Sequence, residues 1–311
     1  MVSRVVGINM EDKTLSQMIE SAIPFVESGC AEFEVPHSWA TCRNLHCCRI
    51  VNRRYWVQNL LEHAFRLQKA SNFVDSNDCV GECVGKLSKD VAKMYLDGGH
   101  SNISVSEAYA TAYSEKTPNI LNERIRERDF VDFAYWILCV SDDEKRNNEE
   151  EERAWSEYTQ EPHTGVRFHF DFPMLNNKYC RVREIEYSTC RPVINLSEIK
   201  TDLICSEAYD DFIEKCIFTK NAAHYSWEHE LRFLIDDRAT IYNCHEVRIL
   251  HKRESSGDRM HPYLIVPIHM IKKIVFGSAV DLQKEMDYIK WFKCHDKFAH
   301  IVFESEIGEK V

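Results

Sequence analysis

Two carboxylates and a guanidinium stand at alternate positions in the stretch Trp227-Glu228-His229-Glu230-Leu231-Arg232. Read with the two-residue period of a β-strand, Glu228, Glu230 and Arg232 project to one face, while Leu231, Phe233 and Ile235 project to the other. Alternate strand residues lie about 7 Å apart, close enough for two carboxylates to act on one substrate. A solvent-facing strand carries the same residue types. The spacing alone therefore leaves a solvated face and a chemical site both open.

The elements that must position these side chains follow from periodicity. Leu15, Met18, Ile19, Ala22 and Ile23 recur at helical spacing before Pro24, and Tyr55 to Leu67 repeats the pattern through Leu60, Leu61, Ala64 and Phe65. Further helices are expected from Val84 to Leu96, stopped by Gly98-Gly99, and from Asn119 to Arg128. Phe133 to Val140 is an almost unbroken apolar run, as in a buried strand. Ser141 to Arg153 is acidic, a loop or a helix start. Val166, Phe168 and Phe170 alternate with Arg167, His169 and Asp171 in a strand, and Arg181 to Tyr187 reads as another. A helix over Ile199 to Phe218 precedes strands at Glu228 to Ile235, Tyr263 to Ile268 and Ile271 to Phe276. Leu282 to Phe292 then reads as a helix and His300 to Phe303 as a last strand. The order predicts an α+β fold: a mostly helical region over 1–130, then a mixed, mainly antiparallel sheet with inserted helices over 131–311, packed as one unit.

Composition narrows the functional classes. The chain has 311 residues, 44% of them hydrophobic, which suits a folded globular protein. A formal charge of -11 argues against a general nucleic-acid scaffold. No apolar run approaches the roughly 18 residues that span a bilayer, and Met1 to Lys13 lacks a secretion signal, so a cytoplasmic protein is expected. Its thirteen cysteines then read as reduced core thiols. Neither His37, Cys42, His46, Cys47 and Cys48 nor Cys79 and Cys83 has the Cys-x2-Cys spacing of a zinc site, and no metal is expected.

Other blocks bear on chemistry. Trp155 and Tyr158, three apart, share a helix face, either as core anchors or as a stacking platform. His163 precedes Gly165, which lets the chain turn into the next strand. In order along the chain come Cys139-Val140-Ser141, Trp155-x-x-Tyr158, His163-x-Gly165-Val166, Ile185-Glu186-Tyr187, Lys220, Trp227-Glu228-x-Glu230-x-Arg232 and Val275-Phe276-Gly277. This ordered set resembles a bacterial family long labelled a domain of unknown function. The resemblance covers about residues 133–280. The family's early Phe-Asn-Asp-Pro-Phe-Glu is only approximated by Phe73 to Glu82, where Asn77-Asp78 is followed by Cys79.

The Glu-x-Glu strand following a strand that ends in serine is in turn similar to ADP-ribosyltransferases. That similarity implies NAD as substrate, Glu230 as the catalytic carboxylate and Glu228 as the residue that orients or deprotonates the acceptor. Trp155, Tyr158, His163, Ser141, Lys220 and Arg232 would then line the cofactor site. The acceptor would be a protein or nucleic acid, and the role that of a toxin or a defence factor against phage. The early Arg or His that grips the cofactor in that superfamily has only positional candidates in Arg49, Arg53 and Arg54. Two other readings stand beside it: a non-catalytic interaction module in which Glu228, Glu230 and Arg232 form an ion-pair ladder, and a metal-dependent nuclease using Asp78, Glu228 and Glu230.

Overall fold

A computed structural model describes residues 44–97, 107–159, 161–177, 179–200, 207–237, 248–253 and 260–311. The helix expected at Leu15 to Ile23, and His37 and Cys42, lie outside them. The fold is mixed α and β with a mainly antiparallel principal sheet. The chain forms two compact units that interleave in sequence. Among the described residues, one holds those of 44–67, 137–183 and 227–311, and the other those of 68–136 and 184–226.

The first unit is built on a seven-stranded sheet. The order across it is Val302–Ser305, Ile271–Phe276, Gly165–Pro173, Asn44–Asn52, Tyr135–Ser141, Glu230–Asp236 and Cys180–Glu184. The central strand, Asn44–Asn52, lies inside the span expected to be helical. Leu45, Cys47, Arg49 and Val51 share one of its faces and Cys48 and Ile50 the other, so apolar residues lie on both, as in a strand inside a sheet. It pairs antiparallel with Gly165–Pro173, setting Cys47 against Phe170, Cys48 against His169 and Ile50 against Arg167. Directly opposed residues share a face. Phe168, Phe170 and Phe172 therefore lie on one side with Cys47, and Arg167, His169 and Asp171 lie on the other with Cys48. Phe65 covers the first side, edge-on to Phe168 and Phe170 at centroid distances of 5.3 and 4.9 Å.

Two local expectations shift, and a third, left open between a loop and a helix start, resolves as a helix. The Tyr55 to Leu67 helix is shorter, Trp56–Glu62, because His63 turns left-handed (φ 38°) and the chain continues as a strand, Ala64–Arg66. The strand containing the two glutamates starts at Glu230, not Glu228; Ser226–Glu228 is a 3-10 turn, and His229 is left-handed at φ 46°. The acidic stretch becomes the helix Asn148–Glu157. Asn147 caps it, accepting from the Glu149 and Glu150 N–H groups, while Glu150 returns a bond to the Asn147 N–H. The helix Leu282–Cys294 starts on the Asp281 cap, as its sequence suggests.

The second unit holds the helices Lys89–Asp97, Glu107–Arg126, Asp129–Ala134 and Glu207–Phe218. The expected strand at Phe133 begins instead at Tyr135, after the last turn of a helix. Two short parallel pairs complete the unit, Glu82–Val84 with Val193–Asn195 and Glu186–Ser188 with Thr219–Asn221. Asn122 fastens the first by accepting from the Cys83 N–H (2.7 Å) and donating to its carbonyl (2.9 Å).

Candidate functional site

The Glu230–Asp236 strand is buried along its whole length, which removes the solvated-face reading. Glu230 is 5% exposed and Arg232 is 0% exposed. Their side chains project to one face and meet: Arg232 Nε donates to Glu230 Oε1 at 2.7 Å, and a terminal nitrogen reaches Oε2 at 3.4 Å. Such fork-to-carboxylate bonding fixes both groups. Glu228 does not belong to this ladder, because the left-handed His229 rotates it into the preceding turn.

Glu228 is nonetheless buried, and its partners come from the Asn148–Glu157 region. Its carbonyl accepts from Arg146 Nη2 at 3.1 Å, and its carboxylate is hydrogen-bonded to the Tyr158 hydroxyl. Burial of that hydroxyl, then the charges of Glu228 and Glu230, push the Tyr158 pKa well above the usual phenol value. Tyr158 thus keeps its proton and donates it to Glu228. Its ring still leaves Tyr158 40% exposed and tilts against Trp227 with centroids 5.8 Å apart. The loop is closed by the Asp142 N–H, which donates to the His229 carbonyl at 2.9 Å. Two carboxylates are therefore held in one buried polar patch, one by an arginine and one by a tyrosine.

Of the early arginines, Arg49 is the one whose electrostatic surroundings include this patch. Burial lowers its pKa, Arg66 adds to that, and Cys139, Tyr158 and Glu230 act in the opposite direction. Its Nη1 donates to the Cys139 carbonyl at 2.8 Å. Arg53 instead joins Glu285, which also accepts from Trp56 Nε1 at 2.7 Å. Arg54 lies over the Tyr55 ring.

The remaining expected site residues separate. Trp155 is fully buried; Arg167 lies 4.4 Å from its ring centroid, His163 stacks at 6.2 Å, and its Nε1 donates to Glu151 at 3.0 Å. Its place is that of an anchor between helix and sheet. His163 is clasped between Glu152 (2.7 Å) and Glu306 (2.8 Å), in the left-handed conformation at φ 59°. Partial burial opposes its charge, but the two carboxylates outweigh that and raise its pKa. A Cβ on Gly277 would collide with the His163 carbonyl oxygen, so this close approach requires glycine. Ser141 is buried opposite Cys48. Lys220 belongs to the second unit, where its ammonium lies 3.7 Å from Asp78 and over the Tyr225 ring. It pairs with Tyr187, so two of the sequence blocks meet there.

Arg146 carries no signal in the sequence, since it lies in the acidic run and outside any periodic pattern. Among the described cysteines, Cys47, Cys48, Cys79, Cys83, Cys180 and Cys216 are buried as expected of core thiols, whereas Cys139 is half-buried and Cys190 and Cys294 are exposed.

The chain matches no protein-family model, no curated protein and no solved structure. The reading of the patch accordingly rests on its own chemistry. A fixed carboxylate beside a second one that accepts from a neutral phenol can steady a developing positive charge and can take up a proton.

Proposed function

We propose that the first unit is an ADP-ribosyltransferase-like enzyme that consumes NAD. The observation that supports this reading is the pair of buried carboxylates, Glu230 held by Arg232 and Glu228 held by Tyr158. In the proposed reaction the bond between ribose and nicotinamide breaks and nicotinamide leaves with the bonding electrons. The ribose becomes oxocarbenium-like, as in glycoside cleavage. Glu230 holds a ribose hydroxyl and favours that charge more in the transition state than in the substrate. The acceptor nucleophile then bonds to the ribose carbon and gives its proton to Glu228. Tyr158, with part of its ring at the surface, is the aromatic suited to stack on a base. Trp227, tilted against it with ring centroids 5.8 Å apart, keeps it in place. The acceptor is proposed to be a cytoplasmic protein or nucleic acid. No helix among the described residues is long and apolar enough to cross a membrane.

The test is NAD consumption by the purified chain, followed as nicotinamide release. Glu228→Gln and Glu230→Gln are each expected to abolish it in samples whose circular dichroism matches the parent. An unmodified chain that neither binds nor consumes NAD with any acceptor ends this proposal.

One observation favours a second reading, a non-catalytic interaction module. Arg232 is completely buried and bonded to Glu230 through two nitrogens, an arrangement that a structural ion pair also adopts. Under that reading Glu230→Gln lowers stability and removes no chemistry.

A further inference from the structure

The polar face of the central sheet carries a second cluster that the proposed reaction does not use. Arg167 and His169 project from the Gly165–Pro173 strand, with Cys48 directly opposite His169. Over them lie Asp143, Arg146 and, from the capped helix, Glu151. The two guanidiniums are almost wholly removed from solvent, with side chains 1% exposed for Arg146 and 6% for Arg167.

Their hydrogen bonding is incomplete. Arg146 gives one bond to the Glu228 carbonyl and stands 3.6 Å from Glu151. Arg167 reaches Asp143 only at 3.4 Å and makes a close ion pair with Glu151. Among the described residues, Arg146 Nε, Arg167 Nε and His169 Nε2 find no hydrogen-bond partner, although all three are buried. A buried donor left unmatched costs about 1–3 kcal/mol, more for a charged group, so the two guanidinium Nε–H groups call for something that accepts from them, and His169 Nε2 joins them as a donor only when the ring is protonated.

Charge and geometry say what that is. Arg146 and Arg167 balance Asp143 and Glu151, so the cluster is neutral while His169 is neutral. Asp143 lies 3.4 Å from His169 Nδ1, which sets the proton there and turns a bare Nε2 lone pair inward. A species that accepts from two guanidiniums adds negative charge, and the group able to compensate is the imidazole. Asp143, Arg167, Lys273 and Cys48 surround that ring. Lys273 is itself engaged by Glu304 at 3.4 Å, and the Cys48 thiol, pushed up to about 12 by burial and by Asp143, stays neutral.

We propose that Arg146, Arg167 and His169 form a buried site for a small oxyanion of the phosphate class, bound together with a proton on His169. The two Nε–H groups and the protonated Nε2 donate to its oxygens. Asp143, Glu151 and His169 keep some exposure and form the rim through which it enters. This site does not depend on the transferase reading, and its test does not involve NAD.

The experiment is isothermal titration of the whole chain with sodium phosphate and, separately, sodium sulfate at matched ionic strength. Sulfate does not titrate near neutrality, so its pH dependence reports the protein. Saturable binding of both is expected, with sulfate about tenfold tighter near pH 6 than near pH 8. His169→Gln should keep the fold and lose that pH dependence, and Arg167→Lys should weaken both anions at least about tenfold by removing the planar fork. If Arg167→Lys does not fold, His169→Gln alone decides. Binding no stronger than that of chloride, or an unaltered pH profile in His169→Gln, overturns the proposal.

Discussion

Removing the charge of Glu230 should be costly, and the cost can be worked from its surroundings. Both faces of its strand are buried, and Arg232, at 0% exposure, has Glu230 as a two-nitrogen partner. Glu230→Gln preserves the shape but leaves a desolvated guanidinium beside a neutral amide. Breaking one side of such a pair costs about 3–5 kcal/mol. Arg232→Met removes the two-nitrogen partner of the Glu230 carboxylate and should cost a similar amount. Replacing both with methionine removes both desolvation terms, so Glu230→Met with Arg232→Met should recover most of the loss. The assay is urea unfolding followed by tryptophan fluorescence, with all four proteins compared as a double-mutant cycle. A Glu230→Gln protein within about 0.5 kcal/mol of the parent, the range of surface changes, would mean that Arg232 does not depend on the Glu230 charge. So would a double variant whose loss equals the sum of the two singles. The outcome also governs how loss of NAD consumption is read, because a variant that unfolds loses every activity.

Two further outcomes follow from other parts of the first unit. Burial, then the nearby cations Lys273 and Arg167, lower the His169 pKa from 6.5 to about 4 against the pull of Asp143. The unfolded chain therefore binds the proton first, and stability should fall by about 3 kcal/mol as pH drops from 6.5 to about 4, a slope that His169→Gln removes in pH-dependent urea titrations. Gly277→Ala should destabilise by about 1–3 kcal/mol or more by forcing the strand end off the His163 carbonyl, and an unchanged midpoint in thermal unfolding would contradict that close approach.

Sequence and structure agree where one physical signal dominates. Ile271–Phe276 has the expected bounds because the apolar Ile274, Val275 and Phe276 end at a glycine, and Leu282–Cys294 follows its Asp281 cap. They part where a side chain or a distant contact sets the backbone. His63 ends a helix without glycine or proline, its ring held 2.7 Å from the Val266 carbonyl, a partner 203 positions away. His229 similarly detaches Glu228 from the ladder that strict alternation predicts. The pairing of Glu230 with Arg232 was legible in their shared face. The tyrosine and arginine that attend Glu228 were not, because Arg146 and Tyr158 flank a helix far away in sequence.

The place of Asn44–Asn52 in the sheet has a consequence for synthesis. Of the seven strands it is the first to leave the ribosome, yet it occupies the middle of the sheet. Its flanking strands, Tyr135–Ser141 and Gly165–Pro173, emerge only after some 80 and 110 further residues respectively, a delay of several seconds at ordinary elongation rates. Until then both of its edges are open templates for pairing with other chains. A nascent chain stalled before Gly165 should therefore be the species most dependent on chaperones.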